Sequence, residues 1–111
     1  MSTHPVELSA LLTSLRPSVI ESTLLLTEMI KSGKNEITLD DSNSRNIVAL
    51  LMFDHLVTES VGYSYSDDFK FEEPGTIYLI NQDRKKVIKN IDFMLDYMNY
   101  RIENPIDLAD C

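Results

Sequence analysis

The sequence is short of cysteine, glycine and positive charge. Its single cysteine, Cys111, cannot form an internal disulfide, which favours a reducing compartment. Three glycines leave no glycine-rich loop of the kind that cradles a phosphate group. Ten Lys and Arg stand against 18 Asp and Glu, and the resulting net charge of −8 disfavours contact with phosphate backbones and anionic membranes. The composition therefore excludes a disulfide scaffold and argues against nucleic-acid binding.

Histidine is scarce as well, and the two histidines, His4 and His55, are far apart in the chain. No two His, Cys or Asp residues show the spacing of metal ligands, so no metal and no cofactor is predicted. Asp54 and His55 are neighbours, but adjacent residues point about 100° apart on a helix and cannot form an orienting pair. No nucleophile motif is present either. The sequence predicts a protein that is not an enzyme.

Long apolar runs are also missing. The most apolar segment, 19–30, contains Glu21 and Glu28 and is far too short to cross a bilayer. The first fifteen residues lack the basic start and apolar run of a secretion signal, so a soluble cytoplasmic protein is expected. A length of 111 residues with 43 % hydrophobic and 25 % charged residues fits one globular domain over 1–111.

Apolar periodicity predicts two helices in the first third of the chain. Residues 5–15 repeat leucine and valine near the helical period. This helix is expected to end at Arg16, because a following proline disfavours helical geometry in the residue before it. A second helix is expected to begin at Pro17 and to run over 17–32, where Gly33 stops it.

Two more helices are predicted further along. The segment 44–60 follows a cluster of N-cap residues and contains the unbroken apolar run IVALLMF. A helix that is apolar on nearly every side belongs inside, so this one is expected at the centre of the fold. The last helix is expected over 82–103 and is ended by Asn104 and Pro105, leaving a loose acidic tail over 104–111.

A small antiparallel sheet is predicted beside the helices. In its hairpin Tyr65 would face Phe69 and Tyr63 would face Phe71, and such aromatic pairs contribute roughly 0.2–1 kcal/mol each. The segment 76–80 fits either a third strand of the ribbon or the start of the last helix. The expected class is therefore α+β, mainly helical, with about four helices. The predicted strands are 36–39, 62–65 and 69–72.

The order of elements over 17–81 resembles a winged-helix domain, in which a hairpin wing follows the recognition helix. The stretch FDHLVTESVGYSYSDDFKFEEPGTIYLI is similar to the passage from that helix through the wing. The short middle helix of a helix-turn-helix is shrunken or absent here. DNA binding by such domains relies on Lys and Arg, but Lys70 is the only formal positive charge from Ile47 to Ile80. An ordinary nucleic-acid wing is therefore not expected.

The absence of catalytic motifs, together with the acidic ribbon rich in tyrosine, predicts a non-enzymatic regulator or inhibitor that binds another protein. Charge complementarity would select a basic surface on that partner. Phage and plasmid counter-defence proteins present carboxylates where phosphates would sit, and a function of this mobile-element type is drawn by analogy. The predicted contact residues are Tyr63, Tyr65, Asp67, Asp68, Glu72 and Glu73.

Two patterns on the last helix each allow two interpretations. Apolar residues at coiled-coil spacing would join two chains in a homodimer, or would pack only on the chain's own core. These residues are Ile88, Ile91, Leu95, Met98 and Ile102. A basic cluster at the start of this helix fits a solvated face, or else a winged-helix transcription regulator that touches DNA. The residues for that alternative are Arg84, Lys85, Lys86 and Lys89 of this cluster, together with Arg45 at the start of the helix 44–60.

Overall fold

A computed structural model describes residues 5–72 and 75–104, except for the side chains of 5–7 and 42. The predicted acidic tail lies beyond Asn104, outside the described residues. The described part of the chain is mainly helical with a small antiparallel sheet, so the α+β class is confirmed, with three long helices in place of four. The elements are α1 (Pro5–Lys31), β1 (Glu36–Thr38), α2 (Asp41–Val61), a short 3₁₀ helix (Tyr65–Asp67), β2 (Phe69–Glu72), β3 (Thr76–Leu79) and α3 (Arg84–Glu103).

The first two predicted helices form one. α1 continues through Pro17, so the predicted break at Arg16 is wrong. Pro17 is exposed, whereas Leu12, Val19 and Leu26 recur at every seventh position and are completely buried on one face. Burial of this face on both sides of the proline outweighs the cost of about 3 kcal/mol that proline imposes on a helix interior.

The central position belongs to α1, which packs along both α2 and α3. The bounds predicted for α2 are nearly right, but its expected burial on all sides is wrong. Ile47, Leu50 and Phe53 face the core, whereas Val48 is 56 % and Met52 46 % exposed. One face of an amphipathic helix is enough to fill the space beside α1, so the apolar residues on the other face remain in contact with solvent.

The sheet has the order β1-β3-β2, with both pairs antiparallel. Phe69 pairs with Leu79 and Phe71 with Ile77, and these four residues point toward the core. The segment 76–79 is therefore a strand. Of the two predicted strands of the ribbon, 69–72 is confirmed and pairs with β3.

The predicted strand 62–65 does not form, and the tyrosines do not pair across a hairpin. Gly62, with a φ of 71°, ends α2, and Tyr65 opens the 3₁₀ helix. Ser64 caps that helix: its hydroxyl accepts a hydrogen bond from Ser66 N, and its own N donates to the Asp67 carboxylate at 3.1 Å. Ser64 itself stays extended, but the cap starts a 3₁₀ turn at Tyr65, and the hairpin begins only at Phe69.

Candidate functional site

The predicted contact residues of the acidic ribbon divide between interior and surface. Tyr65 is fully buried and Asp68 is 2 % exposed, so neither offers a surface to a partner. Tyr63 is half-buried, and its ring meets the Tyr65 ring edge-on at 5.9 Å. Asp67 and Glu72 are exposed, and Glu72 forms an ion pair with Lys70 at 2.9 Å. Glu73 lies outside the described residues.

Asp68 is a hydrogen-bonding centre of the fold. Its carboxylate accepts from the Tyr63 hydroxyl at 2.5 Å, from Asn81 Nδ2 at 2.8 Å and from Asn90 Nδ2 at 3.0 Å. Its carbonyl oxygen accepts from Ile80 N at 2.8 Å. These bonds join the loop after α2 to the start of α3, and they compensate the carboxylate for its loss of water. Burial, reinforced by the bond to Asp68, strongly raises the pKa of Tyr63.

Asp54 holds the same loop from the α2 side. It is buried, and its two carboxylate oxygens accept from Tyr65 N at 3.0 Å and from the Ser64 hydroxyl at 2.8 Å. Asp54 faces this loop while the adjacent His55 is exposed, so the two do not act together. The acidic residues of this region thus stabilise a turn, and the Ser64-x-x-Asp67 pattern was the sequence signal for it.

Tyr65 differs from Tyr63 in its hydroxyl. Within the described part of the chain, the Tyr65 hydroxyl has no hydrogen-bond partner, although it is buried. The Thr23 hydroxyl lies beside the phenol and donates its own proton to the Val19 carbonyl oxygen at 2.8 Å. Burial raises the pKa of Tyr65 well above its usual range. A phenol held in this way is a local weakness in an otherwise satisfied core.

The predicted dimerisation seam is used within the chain. Ile91 and Met98 are completely buried, and Ile88, Leu95 and Ile102 are half-buried against the same core. The coiled-coil spacing of these residues therefore describes how α3 packs on its own domain. A dimer through this seam would have to expose that core.

Arg84 of the basic cluster forms hydrogen bonds within the fold. Its guanidinium donates to the carbonyl oxygens of Ile30 at 2.9 Å and Lys34 at 3.0 Å, and also to the side chain of Asn35. These are acceptors at the C-terminal end of α1, where a cation is favoured. The sequence carried no signal for this contact, because its partners lie some fifty residues away. The other four residues predicted for nucleic-acid contact are exposed; they are Arg45, Lys85, Lys86 and Lys89.

The solvent side of α2 forms an apolar surface, which we call the α2 face. It consists of Val48, Leu51 and Met52, with His55 beside them. A groove of about 340 Å³ lies between this face and Leu11 of α1. A second groove of about 290 Å³ lies between it and the sheet. The sequence alone could not show which face of α2 is exposed, because consecutive apolar residues of the run point to every side of the helix.

A second surface, the α3 aromatic face, consists of Phe93, Tyr97, Tyr100 and Arg101. Phe93 and Tyr100 lie on the solvent side of α3, whereas Tyr97 is half-buried at the edge of the core. Phe93 is 50 % and Tyr100 49 % exposed. Tyr97 stacks on Phe93, with ring centres 6.4 Å apart, and the Arg101 guanidinium lies 5.5 Å from the Tyr97 ring centre. This face was not predicted from the sequence, although the 93-97-100 spacing was a usable signal.

Neither a metal centre nor a membrane span is found in the described residues. No three His, Cys, Asp or Glu side chains within 5–72 and 75–104 are placed to hold a metal ion. Over the same residues, no helix combines the length and apolar character that a membrane crossing requires. The chain matches no family model, no curated protein and no solved structure. The winged-helix resemblance therefore stays a prediction.

Proposed function

We propose that the chain is a small, non-enzymatic regulator or inhibitor that binds another protein through the α3 aromatic face. The observation that carries this proposal is the half-exposure of Phe93 and Tyr100 on a helix whose opposite side is fully packed. Because each side chain is only half covered, burial of its remaining apolar surface by a partner would contribute roughly 1–2 kcal/mol. Tyr, Phe and Arg are enriched at the centres of protein interfaces.

The face is also rigid, which favours binding. The stacked pair of Phe93 and Tyr97, together with the Arg101 guanidinium beside the Tyr97 ring, restricts the side-chain rotamers before any partner arrives. Aromatic side chains have few rotatable bonds, so little entropy is lost when they are covered. A helix packed on its own core presents them in a fixed spacing.

Charge selects the class of partner. Asp92 and Asp96 are exposed beside the aromatic residues, and Glu103 follows two turns later. Lys89 precedes Phe93 by one turn and Arg101 lies in the last turn, so three carboxylates stand against two cations around the aromatic residues. With a net charge of −8 on the whole chain, this surface should meet a basic surface on the partner. The exposed carboxylates Asp67 and Glu72 would add to this attraction at longer range.

The test uses a photo-crosslinking amino acid at position 93, followed by mass spectrometry of the captured protein. Changing Tyr97 and Tyr100 to Ala should reduce capture more than tenfold, because interface aromatics typically contribute at least about 1.4 kcal/mol each. Leu24→Ala is the matched control, since Leu24 is 59 % exposed on a different helix. Capture that is equal in all three proteins, or a partner with an acidic contact surface, would refute the proposal.

DNA binding is the second candidate, because the hairpin β2–β3 follows α2 as the winged-helix resemblance predicts. The charges of the hairpin oppose it. Lys70 is paired with Glu72, and Arg84 is engaged with α1. The remaining basic residues are too few to neutralise the phosphates on which affinity for a duplex depends. We therefore favour the protein-binding function.

A further inference from the structure

We propose that the α2 face joins two copies of this chain in an antiparallel, two-fold symmetric dimer. Along this face runs a stripe of exposed residues at 3-4-3-4 spacing, the spacing by which helices pack along a seam. Its members, in order, are Arg45, Val48, Met52, His55 and Glu59. The inference rests on this stripe alone and does not depend on binding through α3.

The stripe is complementary to itself when it is reversed. Met52 lies midway between Arg45 and Glu59, which are about 21 Å apart along the helix at 1.5 Å per residue. A two-fold axis beside Met52 therefore sets Arg45 of each copy opposite Glu59 of the partner subunit. The same axis sets Val48 against the partner's His55 and brings the two Met52 side chains together. A two-fold interface requires this kind of self-complementary surface.

The two charges at the ends of the stripe have no ion-pair partner in the described part of one copy. Among the described residues, neither Arg45 nor Glu59 forms an ion pair. Each charge also has the sign that the nearer end of the α2 dipole disfavours, since a cation sits near the N-terminus and an anion near the C-terminus. An antiparallel neighbour reverses the dipole and supplies the opposite charge at both ends.

The grooves on either side of the stripe give the partner helix room. One is bounded by Leu11 and the other by Phe71 of the sheet, so the knobs of a second α2 can lie against apolar walls. The contact is narrow, about one helix diameter wide, and lies at the lower end of stable interface sizes. We expect a dissociation constant in the micromolar range.

Sedimentation measurements under reducing conditions, which keep Cys111 from joining chains, test the dimer. The wild-type mass should rise from 12.7 kDa to twice that value as the concentration increases through the micromolar range. Met52→Glu should hold the chain at the monomer mass, because it places two carboxylates together on the axis. Leu24→Glu, at a site on another helix that is even more exposed than Met52, should still dimerise.

A charge reversal tests the orientation. Arg45→Glu and Glu59→Arg should each weaken dimerisation by about tenfold, because each sets like charges opposite one another at two places. The double variant should restore the wild-type affinity. A wild-type chain that stays monomeric at high concentration would overturn the proposal. So would a dimer that survives Met52→Glu, or a double variant that remains as weak as the single ones.

Discussion

Two neighbouring tyrosines should respond in opposite ways to the loss of the hydroxyl group. Tyr63→Phe should destabilise the fold, whereas Tyr65→Phe should stabilise it. Tyr63 donates to the buried Asp68 carboxylate at 2.5 Å, while the Tyr65 hydroxyl is buried without a partner among the described residues. Both changes, Tyr63→Phe and Tyr65→Phe, keep the edge-on contact of the two rings, whose centres are 5.9 Å apart. The comparison therefore isolates the two hydroxyl groups.

The magnitudes follow from hydrogen bonding. A bond to an ionised group contributes roughly 1.5–3 kcal/mol, and water can partly replace it at the half-buried Tyr63. Tyr63→Phe should therefore lower the free energy of unfolding by about 1.5 kcal/mol. Relief of an unsatisfied buried hydroxyl yields roughly 1–3 kcal/mol, from which the lost dispersion contacts of the oxygen are subtracted. Tyr65→Phe should raise the free energy of unfolding by about 1 kcal/mol.

Urea unfolding followed by circular dichroism measures both values on the same scale. In thermal unfolding, each kcal/mol should shift Tm by about 4 °C in a chain of this size. Tyr97→Phe is a control, because this half-buried residue keeps its ring contacts with Phe93 and Arg101 when the hydroxyl is removed. A loss of stability in Tyr65→Phe would show that its hydroxyl has a bound partner, such as a buried water, and would refute the reasoning.

Three further predictions concern the fold and the charged surface. Arg84→Lys should lower the free energy of unfolding by about 1–3 kcal/mol, because one ammonium cannot reach all the acceptors that the guanidinium contacts. The loss should appear as a lower Tm, and Lys85→Arg is the control. Pro17→Ala should raise the free energy of unfolding by about 2 kcal/mol in urea, and a loss would contradict our account of α1. A gel-shift titration at about 50 mM salt should show no binding of duplex DNA by micromolar protein.

Local patterns in the sequence predicted the helices and strands that depend on nearby residues. The periodicity of α3 and its end at Asn104 were confirmed, as were α2 and the strand at 69–72. The prediction failed at Pro17, where tertiary burial outweighed a local preference that favours a break. It failed again at residues 62–65, where Asp54 accepts from the loop and gives it a capped turn instead of a strand.

The candidate sites were harder to predict because they depend on which side of a residue is covered. The carboxylates of the ribbon looked like a charged surface, but Asp68 is buried among donors that come from α3 and the loop before it. Likewise, the seam on α3 fits a dimer and a core equally well until α1 is placed beside it. Spacing identifies a face, whereas only the packed neighbours determine whether the face is free.

If both proposed surfaces operate, the dimer binds the partner bivalently. Dimerisation through the α2 face uses none of the α3 aromatic face, so each dimer should offer two binding faces to a partner. On a densely immobilised partner, Met52→Glu should weaken the apparent affinity by about a hundredfold, because the second binding event ceases to be intramolecular. In free solution the affinity per chain should not change, which calorimetry measures, with Leu24→Glu unchanged in both formats. A loss of affinity in solution would show that Met52 contacts the partner directly, and the α2 face would then belong to the partner rather than to a second copy.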